Sequence, residues 1–253
     1  AFTVKELPHR YQQEFDNATK RLAIEEWSNH NAKKQDQLSS EDAILAKAKD
    51  ISIESIITAY DAEISKSLEI IGQENHNQVL LAGHSTGGLI TTLYAAHYPD
   101  HRLVKALWAN SPFYDFFKSI IEKKVGIPLL SEFGKRFPNA KFPSGLNPWY
   151  VPSLHKNFHG EWDFNLEWKP ESMPFVQLCF IHAIHEAQKE IHAGVQINVP
   201  TLVMHSHKTT YPKKFNRDAQ STDVILEVKD IIRDAGKIQG DVNVMTIQNG
   251  LHD

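Results

Sequence analysis

Gln78-Val79-Leu80-Leu81-Ala82-Gly83-His84-Ser85-Thr86-Gly87-Gly88-Leu89 decides how this chain is read. After Gln78 it opens with a short, continuously apolar run, as a strand buried on both faces of a sheet requires. Residues 89–97 have a helical composition and are closed by Tyr98-Pro99. Between the two, Gly83-His84-Ser85-Thr86-Gly87 is a G-x-S-x-G sequence, and its place between strand and helix is what gives it meaning. A serine at such a turn takes up a strained backbone conformation that projects its hydroxyl out of the sheet. Gly83 and Gly87 are expected where a Cβ would collide with the neighbouring strand or helix. The following helix aims its N-terminal N–H groups at the serine, so negative charge is favoured there and the Thr86 N–H is the expected donor to an oxyanion. A glycine-rich turn without chemistry and a phosphate loop are the other readings; a Walker loop would need a Lys-Ser/Thr pair, which is absent. Ser85 is the expected nucleophile.

Working outward, Ile53, Ile56, Ile57, Tyr60, Ile64, Leu68 and Ile71 mark one face of an amphipathic helix, with Gly72 as its stop. Residues 104–109, 201–204 and 242–247 are further strand candidates. Strands alternating with helices predict an α/β fold, a mostly parallel sheet flanked by helices. Residues 1–50 are polar, with helical stretches at 22–24 and 43–46 and no apolar strand. Residues 112–170 hold thirteen of the 25 aromatics and seven of the 12 prolines. An aromatic, proline-punctuated insertion at about 112–195 predicts a cap over one end of the sheet, within a single domain spanning 1–253.

Residues 79–98, with Gly83-His84-Ser85-Thr86-Gly87-Gly88, resemble the nucleophile elbow of the α/β-hydrolase superfamily. They are most similar to the serine hydrolases grouped with monoacylglycerol lipases, lysophospholipases and S33 aminopeptidase-like proteins. The resemblance covers roughly residues 51–253 and implies the chain order serine, acid, histidine. Asn249-Gly250-Leu251-His252-Asp253 resembles the family's catalytic-histidine turn and makes His252 the implied base. The implied slot for the acid reads His205-Ser206-His207-Lys208-Thr209, without a carboxylate. Thr222-Asp223-Val224-Ile225-Leu226 is similar to the family's acid loop, so Asp223 is the implied acid beyond a local insertion at 207–221. Asp218 is the alternative; Glu227 and Asp230 are assigned to a solvated helix face. The family's upstream His-Gly turn, source of a second oxyanion N–H, has no counterpart before Gly83, and the second donor is unassigned. The helix that follows the histidine in the family is missing too. Two accounts stand: a sequence lacking segments of the natural protein, which is the expectation, or a hydrolase with half an oxyanion hole.

Composition sets the outer bounds. With 253 residues, 41% hydrophobic and a net charge of −4, the chain can bury a sizeable core and is neither disordered nor fibrous. No basic stripe appears, so nucleic acid is not an expected partner. No apolar run approaches the ~18 residues of a transmembrane segment. Cys179, the one cysteine, is expected as a buried hydrophobe; it forbids an internal disulfide and points to a cytoplasmic compartment. His182 and His185, and His155 with His159, have metal-ligand spacings but no H-E-x-x-H context. They are expected as cap or surface histidines, with no metal and no cofactor. The expected activity is hydrolysis of a small-molecule or lipid-like carboxylic ester with an apolar acyl or aryl group. An amidase or aminopeptidase on the same residues would need an acidic patch for the substrate amine, for which Asp115, Glu122, Glu132, Glu161 and Asp163 are candidates. A catalytically silent binding protein is the third reading.

Overall fold

Four parallel strands carry the site. By its internal contacts the chain divides at Ser52/Ile53, and this computed structural model describes residues 54–253. The readings made for residues 1–50 lie outside the described residues. Helix α1 (Glu54–Gln73) is followed by β1 (Val79–His84), α2 (Thr86–His97) and β2 (Val104–Asn110). The stop of α1 falls just beyond Gly72. Asn75 takes the left-handed conformation, φ 66°, its N–H bonds the Gly72 carbonyl and the His76 N–H bonds that of Ile71. That pair of bonds is a Schellman closure with asparagine in the glycine position.

After β2 the chain makes a π-helical turn (Glu122–Gly126), α3 (Ile127–Arg136), β3 (Lys141–Pro143), α4 (Tyr150–Leu154), β4 (Phe175–Gln177) and α5 (Leu178–Ala193). It then returns through β5 (Val195–Gln196) to β6 (Thr201–Ser206), a 3-10 turn (Arg217–Gln220), α6 (Val228–Ala235), β7 (Ile238–Gln239) and β8 (Val242–Ile247). The main sheet has the order β1-β2-β6-β8, with Leu81 beside Leu107, Ala109 beside Val203 and Val203 beside Val244. Among the described residues β1 is therefore an edge strand. The expectation that it is buried on both faces fails at Leu80, which is 57% exposed, while Leu81 packs into the core. A run of apolar residues cannot reveal which strands flank it.

The core joins Leu89 and Leu93 of α2, Leu107 and Val203 of the sheet, and Ile184, Ala187 and Ile191 of α5. Helix α3 lies close against α5. A Cβ on Gly134 would stand 2.3 Å from the Leu178 carbonyl oxygen, and Ser131 Oγ is 2.8 Å from His182 Nδ1. His155, expected as a cap or surface histidine, is buried within the 112–195 segment. Its Nδ1 accepts the Asn157 N–H and its Nε2 bonds the Phe164 carbonyl. Cys179, expected in the core, is only half-buried. Among the described residues no helix is long and apolar enough to cross a membrane.

Charge also ties the layers together. Asp230, expected on a solvated helix face, is largely buried, as is Asp115, and both pair with Lys123 and Arg233. Asp234 is fully buried. Burial acts to raise its pKa, but contacts from His192, Arg233 and Lys237 outweigh that and hold it well below the carboxylate range. His97 bridges Asp61 of α1 (3.0 Å) and Glu190 of α5 (2.8 Å). Burial opposes its charge, yet the two carboxylates prevail and its pKa lies above the ordinary 6.5. A histidine raised in the folded state contributes stability that is complete below its unfolded value and is lost as pH rises through the folded one. Denaturant unfolding should accordingly show a loss of stability as pH rises above 6.5. His97→Gln should flatten that part of the profile; an unchanged slope would remove His97 as its source.

Candidate active site

The turn from β1 into α2 places Ser85 at φ 53°, ψ −116°, a conformation that costs a non-glycine residue about 1–3 kcal/mol. Its backbone is held on three sides. The Ser85 N–H bonds the Asn110 carbonyl, and the N–H groups of Phe113 and Leu89 bond the Ser85 carbonyl. Gly83 permits the turn, since a Cβ there would lie 2.2 Å from the Gly87 carbonyl oxygen and 2.4 Å from Thr91 Oγ1. Gly87 does not share this constraint: a Cβ there meets nothing within 4 Å. The second glycine that close packing demands is Gly88, whose Cβ would stand 2.9 Å from that of Pro112.

Ser85, His252 and Asp223 converge. His252 Nε2 is 3.0 Å from Ser85 Oγ, and His252 Nδ1 is 2.9 Å from Asp223 Oδ2. The histidine is 2% exposed and the aspartate 0%. A buried carboxylate needs its lone pairs filled, and Asp223 Oδ1 accepts the N–H groups of Ile225 and Leu226, each at 2.8 Å. The chain reaches Asp223 by leaving β6, passing the 3-10 turn and returning. At the return, the Asp223 N–H bonds the Lys208 carbonyl and the Thr210 N–H bonds the Asp223 carbonyl. Asp218 sits in the exposed 3-10 turn, where its carbonyl accepts the Thr222 hydroxyl. Glu227 starts α6, its side chain accepting the Lys229 N–H.

Thr86 begins α2 and lines the same cavity as Ser85 and His252. That cavity has a volume of about 950 Å³, and its walls are largely apolar, with Phe113, Phe116, Phe117, Phe142, Tyr150 and Ile127 among them. Of the acidic candidates named above, Glu122 lines it. Hydrogen bonds from the Ser119 hydroxyl and N–H hold the exposed Glu122 carboxyl below its usual value.

Sequence reasoning missed the groups around the histidine. The ring of His84 meets that of His252 edge-on at 4.8 Å, and the ring of Tyr150 does so at 5.7 Å. Asn110 Nδ2 donates to His84 Nδ1 at 3.2 Å, which leaves Nε2 to carry the proton; Nε2 lies 3.3 Å from Asp253 Oδ1. Lys169 Nζ bonds the same Asp253 oxygen at 2.8 Å and sits 4.5 Å above the Tyr150 ring. No local pattern announces contacts between residues this far apart in the chain.

Residues 55–229 match a protein family described as serine aminopeptidase, S33. Among solved structures, the monoacylglycerol lipase of Paleococcus ferrophilus is 19% identical with a TM-score of 0.51, over 76% of this chain and 67% of that one. A soluble variant of monoglyceride lipase from Saccharomyces cerevisiae, solved with a substrate analogue, is 15% identical with a TM-score of 0.48. That likeness covers 74% of this chain, which spans 60% of the yeast protein's length. No curated protein sequence matches. The likeness to the Paleococcus ferrophilus structure shows the α/β-hydrolase fold.

The elbow geometry separates its two glycines. Gly83→Ala should destabilise the protein by about 1–3 kcal/mol or more through overpacking, whereas Gly87→Ala should stay within about 1 kcal/mol of the parent. Thermal melting of the two variants checks this; equal losses would contradict it.

Proposed function

The chain belongs to the serine aminopeptidase S33 family, and from that premise we propose that it is a serine hydrolase cleaving a carboxylic ester with an apolar acyl or aryl group. The observation that carries the reading is the continuous hydrogen-bonded series Ser85–His252–Asp223, whose first two members lie in the wall of an apolar cavity. Ser85 Oγ attacks the ester carbonyl carbon as His252 Nε2 takes its proton. Asp223, paired with Nδ1, fixes the ring and stabilises the imidazolium that forms. The oxyanion faces the N-terminus of α2, where the Thr86 N–H donates to it. The tetrahedral species then collapses: the ester C–O bond breaks, and His252 returns the proton to the departing alcohol. Water repeats the cycle on the acyl-enzyme and releases the carboxylic acid.

Residues 112–195 act as a cap, supplying most of the apolar wall that desolvates the acyl or aryl group. A single-cysteine chain fits a reducing, cytoplasmic compartment. One observation favours a second reading, amide or aminopeptide hydrolysis on the same residues. Glu122 is an acidic group in the cavity wall, placed to meet a substrate amine. The other acidic candidates do not share this: Asp115 is engaged by Lys123 and Arg233, and Asp163 pairs with Lys156.

A fluorophosphonate probe should label the wild-type protein and leave Ser85→Ala unlabelled. Failure of the wild type to react would sink both enzymatic readings and favour a silent binding protein. Asp223→Asn should lower kcat on an aryl ester about 10⁴-fold, since it leaves the imidazole without its orienting carboxylate. Comparing an aryl ester with an aminoacyl anilide separates the two substrates, and preferred turnover of the anilide would overturn the ester assignment.

A further inference from the structure

The loop bearing His252 is tied down at Gly250: the Gly250 N–H bonds the Ile247 carbonyl, Ser206 Oγ donates to the Gly250 carbonyl, and the Asn249 N–H bonds His207 Nδ1. His252 is held by Asp223 and Ser85, and a further polar anchor is the carboxylate of Asp253.

That carboxylate closes a ring of side chains around the histidine. Lys169 grips its Oδ1 at 2.8 Å, and His84 Nε2 faces the same oxygen at 3.3 Å, an electrostatic contact more than an aligned hydrogen bond. Lys169 also lies over the ring of Tyr150, and the rings of Tyr150 and His84 both pack edge-on against His252. Each of the three groups that meet Asp253 or its lysine is thus also a wall of the imidazole or borders one. Burial alone would raise the Asp253 carboxyl; the contacts from His84, Lys169 and Tyr150 overcome it and hold the group ionised far below its usual range. Tyr150 is pushed the other way, by burial and by the negative charges of Asp253 and Asp223, and keeps its proton.

We propose that Asp253 is a positioning residue for His252, clamped by Lys169 of the 112–195 segment, so that the wall of the cavity and the candidate base are mechanically one unit. The proposal rests on the reading of His252 as the base. The imidazole is bonded by Asp223 and Ser85 and met edge-on by the rings of His84 and Tyr150, while Asp253 and Lys169 lie one contact further out, against those two rings. A misplaced base is costly, since an ångström of displacement is worth on the order of 100-fold in rate.

The clamp has a signature that a merely structural contact lacks. The imidazole becomes positive in each chemical step. Removing the Asp253 charge therefore makes it easier to deprotonate, and removing the Lys169 charge makes it harder. With an aryl ester, Asp253→Asn and Lys169→Met should each lower kcat about 10–100-fold with KM little changed. The acid limb of kcat/KM should move to lower pH in Asp253→Asn and to higher pH in Lys169→Met, while Asp253→Glu should leave the limb in place. Thermal melting of each variant confirms that it is folded. Wild-type turnover with unchanged kcat in folded Asp253→Asn and Lys169→Met, or acid limbs moving in the same direction, would overturn the clamp and leave the triad standing. A wild type inert to both the ester and a fluorophosphonate would overturn the triad reading and the clamp with it.

Discussion

Everything in the described structure is arranged to keep one peptide unit where it does not want to be. Ser85 sits in a backbone region that side-chain-bearing residues avoid, and it stays there because its neighbours leave no alternative. Asn110 at the end of β2 takes its N–H, while Phe113 and Leu89 take its carbonyl. Gly83 lets the strand and the helix touch. The strain is therefore borne by β1, β2 and α2 together, of which α2 and β2 send Leu89, Leu93, Ala95, Leu107 and Ala109 into the core and β1 packs Leu81 against it. Packing of Leu89, Leu93 and Leu107 and the exposure of a single hydroxyl are two ends of one mechanical arrangement.

Electrostatics follows the same division of labour. The molecule buries several carboxylates, which is costly unless each finds hydrogen bonds or a counter-charge. Asp223 is satisfied by two backbone N–H groups and the imidazole of His252, with no lysine or arginine on it. Asp234, by contrast, is surrounded by arginine, lysine and histidine, and its charge is spent on holding α6 and α5 together. Two fully buried aspartates eleven residues apart thus differ in what their surroundings leave them free to do.

How far the sequence could be read depended on distance along the chain. The elbow was legible because strand, motif and helix are contiguous, and the periodicity of α1 and the strand at 242–247 are likewise local. Asp223 was reached only through resemblance to a known loop, since the residues after β6 hold no carboxylate in the usual slot. A G-x-S-x-G pattern cannot tell the roles of Gly87 and Gly88 apart, because the difference lies in where Pro112 passes. Leu80 was misjudged because strand order is a property of the sheet. The pairing of Lys123 with Asp230, and of Lys169 with Asp253, spans too much chain for any pattern to show.

The return of the chain to β6 at Asp223 has a consequence for the length of chain it closes off. Residues 208–210 and 222–223 are zipped to one another, so the excursion between them is a loop with a closed neck. The entropy of closing such a loop grows only logarithmically with its length, about 0.6 kcal/mol for each doubling. Its length can accordingly change at little entropic cost while the neck keeps Asp223 in place. A search for a carboxylate at a fixed spacing from β6 would miss Asp223, whereas a search for the neck would not.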